Sequence, residues 1–304
     1  MENVLLLGGS GRLGRSIQAA LSFHKIPFLS PTQSQLNICN FEDLKSFVSE
    51  HSVKTIIHGA SILTPRLASN EQAIGDSKIS SLMDNNVFQV VQQKDIKLLY
   101  TSTSLIYPFR SETRWSEADF GPFPEPPADR KLYAIMKYES TREVLRLGHL
   151  GFDCSVLVLP NLLAGPIPSL DRNDQLCEKL FNRIEDAMEA GLGSITFDIA
   201  INPNLQLVAG FEIAEWISKL LVQEVRIPSL LNLSSNYVAN PFQLLVEIAR
   251  QKRPEIKILA KGRPQESPSY LMRDSLARDS YFWHGGESLS KSVKMWLAGN
   301  LNAK

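Results

Sequence analysis

Apolar and polar positions along the first half of the chain follow two alternating periods. Val4-Leu5-Leu6-Leu7 is too short for a helix and runs into glycines, so it predicts a buried strand, and the spacing over 13–23 predicts a helix after it. The same reading gives a strand over 26–29, a helix over 41–50, a strand over 55–58, a helix over 77–93 and a strand over 97–102. A Pro-rich stretch over 121–127 interrupts the rhythm, which resumes as a helix over 132–147 and a strand over 155–159. Strands separated by helices at this spacing specify an α/β fold with a doubly wound parallel sheet.

Past Gly165 the pattern changes to a helix over 176–189, a polar-apolar segment over 196–208, and short elements over 231–235, 241–250 and 256–260. The expected organisation is a Rossmann-type nucleotide-binding domain over 1–165, with strand and helix returns from the second half. A smaller mixed α/β substrate lobe follows over 166–304. Across 304 residues, 32 Lys+Arg balance 32 Asp+Glu, which removes the broad field that gathers a polyanion and excludes nucleic acid as an expected partner. The longest apolar stretch, 154–168, is broken by Asn161 and three prolines, so neither a signal peptide nor a membrane span is expected. Three scattered cysteines, Cys39, Cys154 and Cys177, suit neither a disulfide framework nor a zinc site. They point to a reducing, cytoplasmic setting and to no metal.

Gly8, Gly11 and Gly14 form G-x-x-G-x-x-G directly after a predicted strand and at the opening of a predicted helix. In that context glycines let the backbone approach a pyrophosphate, whose charge meets the helix N-terminus. A site selective for NAD usually ends its second strand with Asp or Glu for the ribose diol; this chain has Leu29-Ser30-Pro31-Thr32-Gln33. With Arg12 in the turn and no carboxylate to repel a phosphate, NADP is favoured, NAD remaining possible.

Tyr133 and Lys137 stand four residues apart at the start of a helix and so share one face. A phenol with an ordinary pKa near 10 is a weak acid-base catalyst at neutral pH, and a neighbouring cation is expected to lower that value. The preceding strand carries hydroxyls at its C-terminal end, Thr101 to Ser104, where parallel-sheet sites lie.

The order of Gly8–Gly14, Ile57-His58-Gly59-Ala60-Ser61, Asn86-Val87, Thr103-x-x-x-Tyr107-Pro108, Tyr133-x-x-x-Lys137 and Leu159-Pro160-Asn161-Leu162-Leu163-Ala164-Gly165-Pro166 resembles the extended short-chain dehydrogenase/reductase superfamily. Within it, the chain is most similar to the nucleotide-sugar branch that includes GDP-fucose synthase and dTDP-4-dehydrorhamnose reductase. The likeness runs nearly full length and is specific in the first half. It implies that Tyr133 is the catalytic acid, that Lys137 binds the nicotinamide ribose and tunes Tyr133, and that Thr103 hydrogen-bonds the reacting oxygen. It further implies that Gly8, Ser10, Gly11, Arg12, Leu13, Gly14, Asn37, Ala60, Ser61, Asn86, Pro160, Asn161, Leu162 and Leu163 line the cofactor. Ser104, Leu105, Tyr133 and Gln175 would then face a nucleotide-sugar substrate, in a homodimer.

Departures from the pattern narrow the chemistry. Dehydratases of this superfamily carry an Asp-Glu pair directly after the strand-end Thr, where this chain has Ser104 and Leu105. The Cys and His that resemblance assigns to 3,5-epimerisation are replaced by Leu105 and Gln175, neither of which shuttles a proton. The family's diphosphate-binding Arg is also missing from 205–212; Arg172, Lys179, Arg183 and Arg273 are candidate replacements, each read in the first place as an ordinary surface charge. His58, ending an apolar strand, reads as a structural histidine. The expected activity is reduction of a 4-keto-6-deoxysugar, with a 4-epimerase holding NAD and a catalytically quiet NADP-binding regulatory protein as alternatives.

Overall fold

In the computed structural model, which describes residues 3–62, 69–108, 114–121, 123, 126, 128–163, 176–200, 202–263 and 270–301, strands and helices alternate through the first half. The order is β1 (Asn3–Leu7), α1 (Arg12–Phe23), β2 (Phe28–Leu29), α2 (Phe41–Glu50), β3 (Val53–His58), α3 (Asn70–Lys94), β4 (Lys97–Thr103), β5 (Arg114–Trp115), α4 (Lys131–His149), β6 (Cys154–Leu159) and β7 (Asn161–Leu163). The second half holds α5 (Leu176–Glu189), β8 (Ser194–Asp198), β9 (Leu207–Ala209), α6 (Gly210–Val222), β10 (Leu230–Asn232), α7 (Pro241–Lys252), β11 (Lys257–Lys261), β12 (Leu271–Met272), α8 (Ser275–Tyr281) and α9 (Leu289–Leu301).

Six strands pair in parallel in the order β10-β6-β4-β3-β1-β2. The chain leaves β1 toward β2 on one side and returns to β3 on the other, which makes the carboxyl ends of β1 and β3 the switch point where such sheets bind ligands. Period-two alternation sends Leu5, Leu7, Ile56, Leu98 and Val156 into one core with Leu44, Val87 and Val144 of α2, α3 and α4. Val4, Leu6, Ile57, Leu99 and Leu157 face the opposite side, against Ile17 and Leu21 of α1 and Ile213 and Ile217 of α6. The second half therefore returns to the sheet twice, as α6 on its face and as β10 at its edge. A separate apolar cluster is built from α5, α7 and α9, around Ile184, Leu244, Ile248, Val293 and Trp296.

Helices α6, α8 and α9 and the short strands β5, β7 and β12 go beyond the hydrophobic reading, and two segments that it does give differ from it. Helix α3 begins at Asn70 instead of 77, because Ser69 accepts from Gln72 N at 3.2 Å and caps a first turn too polar to show a stripe. The segment over 196–208 splits into β8 and β9, since Asn202-Pro203-Asn204 removes a ladder donor between them. Among the described residues no helix is long and apolar enough to cross a membrane.

Candidate active site

At the end of β1 the chain must reverse beside β3, and Gly8 does so with φ +87°. A Cβ there would lie 2.6 Å from Ala60 N, so the position excludes a side chain on conformation and on space alike. A Cβ at Gly14 would collide with Gly8 O, so the first turn of α1 rests directly on the glycine turn. Gly11 N donates to Gly8 O at 3.0 Å and closes it. Asn40 caps α2 and Asn240 caps α7, but no side chain caps α1 and its first turn carries no acid. Uncapped N–H groups beside a glycine cradle fit the pyrophosphate of a dinucleotide.

A cavity of about 330 Å³ opens over this turn, walled by Gly8, Ser10, Gly11, Asn37, Ala60 and Ser61 together with Pro31, Thr32, Gln33 and Met83. Asn37 lies on the wall, with Oδ1 accepting from Cys39 N at 3.1 Å. Asn86 stands behind it: its amide donates to Ile38 O at 3.0 Å, so it braces the wall instead of forming it. Arg12 opens α1 half-buried beside the turn.

Gly59 and Ser61 also wall a second cavity of about 190 Å³, completed by Leu13, Thr101, Ser102, Thr103, Tyr133, Lys137, Pro160 and Leu162. Thr103 Oγ1 accepts from Leu105 N at 3.4 Å, capping the turn after β4 and leaving its own proton to donate. Tyr133 and Lys137 reach the same pocket from the first turns of α4. Thus the hydroxyl, the phenol and the ammonium meet as the sequence pattern requires.

Lys137, only 3% exposed, donates from Nζ to Tyr100 Oη and to Thr101 O, each at 3.1 Å, and lies 4.4 Å from the Tyr100 ring centroid. Tyr100 in turn donates to Asp84 Oδ2 at 2.8 Å. Asp84 also takes Ser140 Oγ at 2.6 Å on Oδ2 and His58 Nε2 at 2.8 Å on Oδ1. Burial works to raise the Asp84 pKa, yet the Lys137 ammonium and the His58 and Ser140 bonds outweigh it and hold the carboxyl below its ordinary value. Burial lowers the Lys137 pKa, with Asp84 pulling the other way.

Burial pushes the Tyr133 phenol up to about 12, with Arg130 working against the shift and Asp84 adding to it. The expectation that Lys137 lowers this phenol is therefore corrected: the ammonium is held by Tyr100 and Thr101, and desolvation governs Tyr133. In this state the phenol is an acid awaiting use, fully protonated at neutral pH.

Several predicted residues lie off the two cavity walls. Gly14 is buried under the turn, Ser104 is buried below the end of β4, and Leu105 is half-buried beside it. Asn161 and Leu163 belong to β7, where they pair with Leu207 and Ala209 of β9; Leu163 packs into the second-half cluster. Gln175 and Arg172 lie outside the described residues. Arg183 donates to Thr196 O and stacks over Phe197, an arrangement that fits a lobe contact. Tyr107 of the Thr103-x-x-x-Tyr107 motif is structural, donating to Asn232 Oδ1 at 2.9 Å and stacking on Trp115. Asp84, Tyr100 and Ser140 join the site without belonging to any of the sequence motifs. Their one signal is an acid set in the apolar stripe formed by Met83, Val87, Phe88 and Val91 of α3.

Comparison with known proteins bears on the fold and the family. A GDP-L-fucose synthase of Azorhizobium caulinodans is 22% identical over 237 residues, 76% of this chain and 74% of that protein. The crystal structure of a dTDP-4-dehydrorhamnose reductase from Clostridium acetobutylicum matches with a TM-score of 0.76 at 16% identity, over 99% of this chain and 100% of that one. A GDP-L-fucose synthetase from Naegleria fowleri bound to NADP matches with a TM-score of 0.76 at 13% identity, over 99% and 93% of the two chains. These structures establish the shared fold. A model of the NAD dependent epimerase/dehydratase family matches residues 4–202 and so spans the glycine turn, the end of β4 and the Tyr133–Lys137 pair. The chain belongs to that family.

Proposed function

We propose that the chain is an NADPH-dependent reductase of the 4-keto group of a nucleotide-activated 6-deoxysugar. The observation that carries this reading is the convergence of Thr103, Tyr133 and Lys137 in one pocket that meets the glycine cradle at Gly59 and Ser61. NADPH, when bound, supplies the hydride. Tyr133, kept as a phenol by burial, gives its proton to the oxygen that gains charge as the keto carbon is reduced. Thr103 donates its free proton to the same oxygen. Lys137 has two N–H bonds engaged by Tyr100 and Thr101, and its third serves the nicotinamide ribose. Ser104 and Leu105 offer neither acid nor base next to Thr103, which supports plain reduction over dehydration or 3,5-epimerisation.

The end of β2, Ser30 to Gln33, has no carboxylate, and Arg12 lies by the turn; both support NADP over NAD. The substrate class is supported by the GDP and dTDP prefixes in the names of the relatives. In this reading 166–304 is the substrate lobe, and the protein is a cytoplasmic homodimer. Free thiols at Cys39, Cys154 and Cys177 support the reducing compartment. The test is incubation of the purified chain with NADPH and a panel of GDP- and dTDP-linked 4-keto-6-deoxysugars. Consumption of cofactor matched by formation of the 4-alcohol is expected with at least one of them. Tight NADPH binding with no turnover across the panel contradicts the reading.

A further inference from the structure

We propose that Asp84, on α3 and outside every motif of the chain, is a positioning residue of this site: its buried carboxylate, acting through the Tyr100 hydroxyl, is the counter-charge that holds Lys137 as an ammonium facing the cleft. The proposal rests on Lys137 being the cofactor-side cation.

A carboxylate that is 1% exposed in the apolar stripe of a helix is costly unless it is paired and fully hydrogen-bonded. Asp84 meets both conditions, with His58 on one oxygen and Tyr100 and Ser140 on the other. Lys137 is the leading positive charge that answers Asp84, ahead of His58. The connection is direct in atoms: Lys137 Nζ donates to Tyr100 Oη, and Tyr100 Oη donates to Asp84 Oδ2. The titratable groups around Lys137 are Tyr133 from α4, with Arg130 acting on Tyr133, Tyr100 from β4, Asp84 from α3 and, behind it, His58 from β3. Asp84 is the acid among them. Without it, burial favours the neutral amine, which attracts a ribose oxygen less strongly.

The test follows the Lys137 Cε signal against pH in the full-length chain labelled with ¹³C-lysine, the signal being assigned by its loss in Lys137→Arg. No cofactor or substrate is present, so the outcome is independent of whether the chain reduces a keto sugar. In Asp84→Asn the midpoint should fall by about one pH unit or more, a tenfold change in the ratio of ammonium to amine. An unchanged midpoint overturns the proposal. Should Asp84→Asn not yield folded protein, Tyr100→Phe answers the same question, since it keeps the ring beneath the ammonium and the carboxylate and removes only the bridge. Its midpoint should fall in the same direction by a smaller amount, and an unchanged one overturns the proposal. A parallel NADPH titration of the parent reports on the functional reading separately: absent binding sinks that reading while the lysine titration still decides the role of Asp84.

Discussion

A glycine turn shapes the larger end of the cleft, whereas the smaller end gathers titratable and hydroxyl side chains. Around the 330 Å³ cavity the decisive features are the positive φ of Gly8, the contact of Gly14 on Gly8 and the uncapped turn of α1, all contributed by seven consecutive residues and their neighbours. Around the 190 Å³ cavity, Thr103 comes from β4 and Tyr133 and Lys137 from α4, supported by Asp84 of α3 and His58 of β3. The glycine turn at one end is specified locally and fails by steric conflict. The other is assembled from four elements and fails when a charge loses its partner.

The largest effect is expected where the steric end is broken. Gly8→Ala places a side chain at positive φ against Ala60 N and should cost about 3 kcal/mol or more. Urea unfolding should show the loss, and NADPH titration should show binding reduced beyond detection. Parental binding in a folded Gly8→Ala chain would detach cofactor recognition from the turn. At the other end, Tyr133→Phe should lower turnover on the order of a hundredfold while leaving the urea midpoint and NADPH affinity at parental values. A comparable loss of affinity would show that the phenol holds cofactor and is not primarily the acid.

A smaller effect is expected at the rim of the larger cavity. The parent should bind NADPH at least about tenfold more tightly than NADH, and Gln33→Asp should reverse much of that margin by placing a carboxylate where the ribose phosphate would sit. Fluorescence titrations with each cofactor decide it, and equal affinities in the parent would refute the preference. Smallest is a spectroscopic difference. Since burial holds the Tyr133 phenol at about 12, the acid form persists from neutral pH through the ordinary tyrosine range near 10. An ultraviolet difference titration of the parent against Tyr133→Phe should therefore show no extra tyrosinate until well above that range. An extra ionisation near neutral pH would restore the idea that Lys137 depresses the phenol.

The two ends are unequally legible in the amino-acid sequence. Gly8, Gly11 and Gly14 announce themselves because a tight turn between strand and helix needs glycine at fixed spacing, and Tyr133 and Lys137 because a shared helical face needs a fixed interval. Asn86 and Asn161 match motif positions for cofactor contacts, yet one braces Ile38 and the other sits in a strand pair, since a motif records a residue type and not the direction of its side chain. Asp84 is hidden for a different reason. Its partners lie at sequence separations of 16, 26 and 56 residues, so only the folded sheet brings them together. A charged residue on a core-facing stripe is the available clue. The electrostatics of Tyr133 are likewise out of reach, because spacing places an ammonium nearby but burial determines which form the phenol adopts.

The central claim is that this site reduces a ketone and moves no proton at the neighbouring carbons. Running the reaction in deuterated water with unlabelled NADPH and a nucleotide-linked 4-keto-6-deoxysugar tests it most directly. With Tyr133 as the acid at oxygen and Leu105 beside Thr103, the 4-alcohol should form with no carbon-bound deuterium. Deuterium on the carbons flanking the former ketone, or no alcohol at all from a chain that binds NADPH, would contradict it.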